Sequence, residues 1–179
     1  MALQTGGFTW SYYSDYTIGW QFDLSSPVTV TALGFLDYDE DMVDSHPVGI
    51  WDVNGILLAT ATVQPGDPET GGFLFRAITP VDLPAGSGYV AGALPTINDT
   101  WGNGAAYAHY SAPVSFVQYV YGPGGTLNFP STAGGYVGQN VYALANFKFT
   151  TSVAPLPPAV LLFGSGLMAL AGWQRCRKG

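Results

Sequence analysis

The sequence predicts an all-β protein, an antiparallel β-sandwich or jelly roll of about nine or ten strands, followed by one C-terminal hydrophobic helix. Three observations carry that expectation. Apolar and polar residues alternate with period two in segment after segment of residues 1–150, the pattern of half-buried strands. Glycine and proline, 24 and 13 in the chain, punctuate these segments at spacings of about 8 to 12 residues. No stretch before residue 156 repeats its apolar residues at a helical period. With 15% aromatic and 9% charged residues in 179, the composition describes one turn-rich, aromatic-packed domain. The expected organisation is a body over 1–150, a proline-rich linker over 151–158 and an apolar C-terminal segment over 159–179.

Along the body, "TIGWQFDL" places Ile18, Trp20, Phe22 and Leu24 on one face and Thr17, Gly19, Gln21 and Asp23 on the other. "PVTVTALGF" alternates likewise after the break at Pro27. "PVGIWDVNGILLATATV" reads as two strands joined at Asn54-Gly55, a pair that suits a type I′ hairpin turn. "GGFLFRAI" and "SGYVAGAL" flank the turn-rich "TPVDLPAGSG", and "PVSFVQYVYG" and "VYALANFKFT" follow, the last expected to bury Val141, Ala143, Ala145 and Phe147. Asp37 to Pro47 and Pro95 to Ala106 read as long loops, where function in such folds is usually carried.

Charge is unevenly placed. The formal net charge is −7, and because Arg175, Arg177 and Lys178 contribute +3, the residues before them carry −10. A body whose only Lys or Arg residues are Arg76 and Lys148 repels phosphate backbones and has no basic stripe to release counterions, so no nucleic-acid partner is expected. Cys176 is the only cysteine, which rules out an intrachain disulfide. The start, "MALQTGG", has neither the basic nor the apolar region of a signal peptide; if the protein is exported, its leader is expected to have been trimmed or missed.

The C-terminal segment, "PLPPAVLLFGSGLMALAGWQRCRKG", is apolar on every side, so a small sandwich could not cover it as a packed helix. Pro158 to Trp173 is 16 residues, about 24 Å as a helix against a hydrocarbon core of roughly 30 Å. Trp173, Arg175, Arg177 and Lys178 would relieve that mismatch at the headgroups, with the basic end cytoplasmic and the acidic body outside. Gly164, Gly166 and Gly172 each weaken the helix by about 0.8–1 kcal/mol, so the segment is a poor helix in water.

The order of features here, Pro155-Leu156-Pro157, an apolar run containing "LLFGSGL", then Arg175, Arg177 and Lys178, resembles the PEP-CTERM sorting signal of Gram-negative bacteria. The resemblance covers about 25 residues and departs from the usual Pro-Glu-Pro at Leu156; a Val-Pro-Leu-Pro form is a known variant, and here Ala154 intervenes after Val153. It implies recognition and removal of the tail by an exosortase-type membrane enzyme, after a transient stay in the inner membrane. Cys176 is then an incidental residue of a discarded tail or, alternatively, a lipidation site. The stretches "SPVTVTALGFLD", "SHPVGIWDVNGILLATATV" and "TPVDLPAGSGYVAGA" resemble an uncharacterised exported bacterial domain, a β-sandwich of unknown function, and imply a surface or secreted setting.

Three candidate sites stand out. In "DYDEDMVDSH", Asp37, Asp39, Asp41 and Asp44, with Glu40, gather hard oxygen ligands of the kind calcium takes;. Met42 and Val48 stand where an EF-hand needs glycine and glutamate, so that loop is excluded; an irregular calcium-stabilised loop and a solvated acidic loop both remain, and composition favours the second. His46 could be imagined as an acid/base pair with Asp44 or Asp52, against the plainer reading of a loop-end histidine bonded to backbone. Trp101 and Tyr107 lie in "NDTWGNGAAYAHY" with Asn98, Asp99 and Asn103, flat apolar faces beside hydrogen-bonding groups, as sugar rings require. The alternative is that Trp101 folds back as a lid on the sandwich. Tyr12, Tyr13 and Tyr16 are open to the same two readings. The functional expectation is a non-enzymatic surface or matrix protein associated with extracellular polysaccharide, with no cofactor other than calcium in view; a carbohydrate-binding module and a small hydrolase are the alternatives.

Overall fold

The computed structural model describes residues 1–6, 10–12, 15–37, 40, 42–99, 101–103, 107–135 and 144–151. Every regular element among them is a strand. In chain order these are β1 (Leu3–Gly6), β2 (Trp10–Tyr12), β3 (Thr17–Leu24), β4 (Val28–Leu36), β5 (His46–Trp51), β6 (Leu57–Val63) and β7 (Glu69–Thr70). Then come β8 (Phe73–Leu83), β9 (Gly86–Ala93), β10 (Trp101–Asn103), β11 (Tyr107–Tyr110), β12 (Val114–Gly122), β13 (Thr132–Gly135) and β14 (Ala145–Thr151). The protein is all-β with antiparallel sheets. Fourteen strands stand against the nine or ten expected because β1, β2, β7, β10, β11 and β13 are two to four residues long, too short for alternation to register. The C-terminal helix expected from sequence lies outside the described residues, as do Val141 and Ala143.

The strands form a six-stranded sheet, β13-β12-β3-β9-β5-β6, a four-stranded sheet, β14-β4-β8-β7, and two ribbons, β1-β11 and β10-β2. The β1-β11 ribbon is joined to the edge of β14. There the Ala2 N–H donates to Phe147 O at 2.8 Å, and the Asn146 carboxamide takes the place of a peptide group. It accepts from Leu3 N at 3.1 Å and donates to Leu3 O at 2.8 Å.

The two larger sheets share one core. Ile18, Trp20, Phe22 and Leu24 of β3 are all buried, as their alternation predicts. Trp20 and Phe22 meet Phe147 of β14 at centroid separations of 5.9 and 5.1 Å, and the Trp20 Nε1–H donates across to Ala145 O at 2.8 Å. That bond satisfies an indole donor which would otherwise be stranded in the core.

The outer face of the six-stranded sheet is covered as well. Gly19 of β3, Gly92 of β9 and Gly49 of β5 stand opposite one another across the three central strands. The Trp51 ring packs close over Gly49 and Gly92, in a second cluster with Val90, Val120, Leu127 and Phe129. A Cβ on Gly19 would land on the Ala91 carbonyl oxygen and 2.8 Å from Gly92 Cα, backbone atoms that cannot swing aside. Gly19→Ala is therefore expected to cost about 1–3 kcal/mol, read as a lower Tm in a thermal melt; an unchanged melt would show that β9 yields without cost.

The hairpin after β5 corrects one expectation. Type I′ needs positive φ at two residues, and here only Gly55 has it, at 78°. The Gly55 N–H donates to Asp52 O and the Asp52 N–H to Ile56 O, both at 3.0 Å. The Asp52 carboxylate accepts from Asn54 N and Ile56 N at 2.9 and 2.8 Å. A side chain outside the Asn-Gly pair thus organises the turn, leaving Gly55 alone in the left-handed region.

Candidate functional site

His46 opens β5 on its core-facing side, two residues before Val48 and four before Ile50, and all three are fully buried. Its ring lies flat on Phe35 of β4, with centroids 3.7 Å apart and planes 5° from parallel. Nδ1 is 3.2 Å from Leu94 O and Nε2 is 2.8 Å from Asp99 Oδ2, so each nitrogen-bearing edge of the ring faces an oxygen.

Asp99, 3% exposed, is used on both oxygens. Oδ1 accepts from Val43 N at 2.8 Å, and Oδ2 accepts from Asp44 N at 2.7 Å in addition to facing His46. The neighbouring Asn98 Nδ2 donates to Asp44 Oδ2 at 2.9 Å. The segment before β10 and the acidic loop before β5 are thus bolted together over a buried imidazole. A general base must reach its substrate's proton, whereas here ring and carboxylate are committed to holding two loops.

Burial works to raise the Asp99 carboxyl, but the N–H groups of Val43 and Asp44 and the His46 ring outweigh it and hold the carboxyl below its ordinary value;. Such a group stabilises the fold fully above the ordinary carboxylate range, and the contribution is lost as pH falls through its lowered value. Stability is therefore expected to fall on the acid side, and Asp99→Asn to flatten that fall. Tm against pH below about pH 5 checks it; equal slopes in the two proteins would remove Asp99 as the source.

Of the carboxylates proposed from sequence for calcium, Asp37 accepts from Met42 N at 3.2 Å and Asp44 accepts from Asn98; Asp39 and Asp41 lie outside the described residues. Among the described residues no group of three or more His, Cys, Asp or Glu side chains is gathered as a metal would need. Asp52 sits at the far end of β5 from His46, within its turn. Trp101 begins β10 opposite Tyr12, whereas Tyr107 begins β11 opposite Gly6, so the backbone puts the two aromatic residues on separate ribbons. Pro155, Leu156, Pro157, Arg175, Arg177 and Lys178 lie outside the described residues. Among the described residues no helix is long and apolar enough to cross a membrane.

The partner that sequence reading missed for His46 is Asp99, which it took for a sugar-facing group. The two are 53 positions apart, and no local spacing connects them. The family model that matches the chain, described as "Domain of unknown function (DUF4082)", spans residues 4–147, about four-fifths of the sequence. The chain belongs to this family. The DUF4082 span contains both His46 and Asp99, opens inside β1 and closes inside β14, so it takes in both sheets and the core between them. No curated protein and no solved structure matches the chain.

Proposed function

We propose that this chain is an exported, non-enzymatic cell-surface or extracellular-matrix protein of a Gram-negative bacterium. Its DUF4082 domain, read as a two-layer β-sandwich of the jelly-roll kind, is delivered by a PEP-CTERM-like tail. The observation that carries the proposal is modular: the family match closes at residue 147, and β14 ends on exposed residues at Thr150 and Thr151. The proline linker and apolar run therefore follow the family's domain in the sequence, the order that a removable tail requires. On this reading the tail rests in the inner membrane, an exosortase-type enzyme removes it, and the acidic domain is released among extracellular polysaccharide. Intact mass of the protein from its native host tests this. A mature chain ending before about Ala159 is expected; one that retains Arg177 and Lys178 overturns the proposal.

One observation favours a second reading, a specific carbohydrate-binding module. The β10-β2 ribbon sets Trp101 opposite Tyr12 and Asn103 opposite Trp10, so three of its six residues are aromatic, the residue class on which sugar rings stack. It also begins two residues after Asp99, the fixed point of the loop. Co-sedimentation with host polysaccharide that Trp101→Ala abolishes would support a module; binding indifferent to that change favours a purely structural role.

A further inference from the structure

We propose that the turn between β5 and β6, with Val53, Ile56 and Leu57, is a second point of contact with a lipid surface, resting against the membrane that holds the tail. The inference rests on the export reading, in which the tail occupies a membrane, and adds which end of the domain faces that membrane.

Strand register puts this turn and the exit of the chain at one end of the two larger sheets. β14 closes with Thr151 opposite Val28, and Val28 in turn lies opposite Leu83. Short links, Ser25 to Pro27 and Pro84 to Ala85, join β4 and β8 to the six-stranded sheet, where Leu24 and Gly86 pair at that same end. β5 lies on the other side of β9 and reaches Val90 with Trp51. Its turn therefore emerges beside Gly88, where an added Cβ would stand 2.8 Å from the Val53 side chain.

The turn is apolar and braced. Val53, Ile56 and Leu57 are 61%, 59% and 46% exposed, a cluster of the kind that an apolar partner covers. Gly55 backs onto the Phe129 ring, and the carboxylate of Asp52 is drawn inward by Asn54 N and Ile56 N. Asp23 and Asp82, at the same end, are likewise engaged, by Gly88 N and Thr29 Oγ1. Asp15, Asp37, Asp44, Glu69 and Asp99 stand at the opposite end, before β3 and β5, after β4 and β9, and in β7. Val43 and Ile97 are exposed there too, but among these carboxylates they offer no neutral face to a membrane.

A lipid surface is the occupant that the exit of the chain selects. Between Thr151 and the apolar segment stand residues 152–158, a leash that reaches at most about 25 Å even fully extended. β4, nine residues long, spans about 30 Å. The leash is thus shorter than the sheets are tall, and it holds the turn end toward the membrane; a negatively charged surface turns the acidic end away as well. Three half-exposed side chains bind lipid weakly by themselves, but a tail already inserted keeps them at high local concentration beside the headgroups.

The test is fluorescence of the full chain reconstituted in phosphatidylcholine vesicles. Single cysteines in a Cys176→Ser background carry an environment-sensitive NBD label, and nitroxide-bearing phosphatidylcholine is the quencher. The label on Ile56→Cys is expected to shift to the blue and to be quenched, that on the exposed Glu69→Cys to do neither, and that on Leu167→Cys in the tail to be quenched. Val53→Asp added to Ile56→Cys, with the thermal melt unchanged, is expected to remove the quenching; quenching that survives it overturns the inference. A quenched tail with an unquenched Ile56→Cys overturns the inference and leaves the export reading standing, whereas an unquenched tail overturns both. Equal quenching of Ile56→Cys and Glu69→Cys overturns it, because the domain then has no preferred end. So does a blue-shifted but unquenched Ile56→Cys, which would mean that the tail or another protein surface covers the turn.

Discussion

Trp20→Ala is expected to lower the stability of the fold by about 3–5 kcal/mol, a large share of the roughly 5–15 kcal/mol that holds a domain of this kind together. The residue is 1% exposed and packs on Phe22, Tyr110 and Phe147 at centroid separations of 5.1, 5.3 and 5.9 Å. It thereby touches the six-stranded sheet, the β1-β11 ribbon and the four-stranded sheet at once. Truncation leaves a cavity that three separately anchored elements would have to move together to fill, and it removes the donor from Ala145 O. Trp20→Phe separates the two effects: it keeps much of the ring contact and strands only the carbonyl, at a cost of about 1–3 kcal/mol. Urea unfolding followed by far-UV circular dichroism measures both. If the alanine variant loses less than about 0.5 kcal/mol, within the range of an ordinary surface change, Trp20 is not the keystone the packing indicates.

The part of this arrangement legible in the sequence is the part with a local period. β3 alternates over eight residues and its inward set is buried, although Thr17 and Gly19 of the opposite face are buried too; Ala145 and Phe147 of β14 follow the same rule. Asn146 between them should by that rule face water, yet it is fully buried. The reason lies 143 positions away, where Leu3 uses the carboxamide as if it were backbone. Nothing in "ANFKF" signals this, since a polar residue at an outward position looks the same whether water or another strand will cover it. Gly19, Gly49 and Gly92 likewise read as three unrelated small residues until the register sets them in one row, with Trp51 over Gly49 and Gly92. The surroundings of His46 are hidden from the sequence for the same physical reason. The plainer reading of His46, a histidine bonded to backbone, holds for Nδ1 and Leu94 O, whereas its carboxylate partner is Asp99 from a different loop, neither Asp44 nor Asp52.

Asp99→Ala should be the most damaging change outside the aromatic core, at about 1–3 kcal/mol for each buried group left without its partner. The alanine leaves Val43 N, Asp44 N and His46 Nε2 without the oxygens they face, and of these the His46 ring is fully buried. Asn is no gentle replacement. The carboxamide keeps one acceptor oxygen where the carboxylate had two, and its amide nitrogen turns a donor toward a backbone N–H or the His46 ring. Because the carboxylate binds a loop to the core and not two sheets to each other, the damage should begin locally. Hydrogen exchange at the Val43 and Asp44 amides should accelerate in Asp99→Asn under conditions where β3 and β4 stay protected. A double-mutant cycle pairing Asp99→Asn with His46→Gln then measures the contact itself, with a coupling of about 0.5–3 kcal/mol expected for side chains in one network. Additive losses would mean that Asp99 stabilises the fold through the two backbone amides alone and that His46 is held by Phe35 and Leu94. Coupling within that range makes the histidine part of the bolt, and ties the path leading into Trp101 to the integrity of a residue in the core.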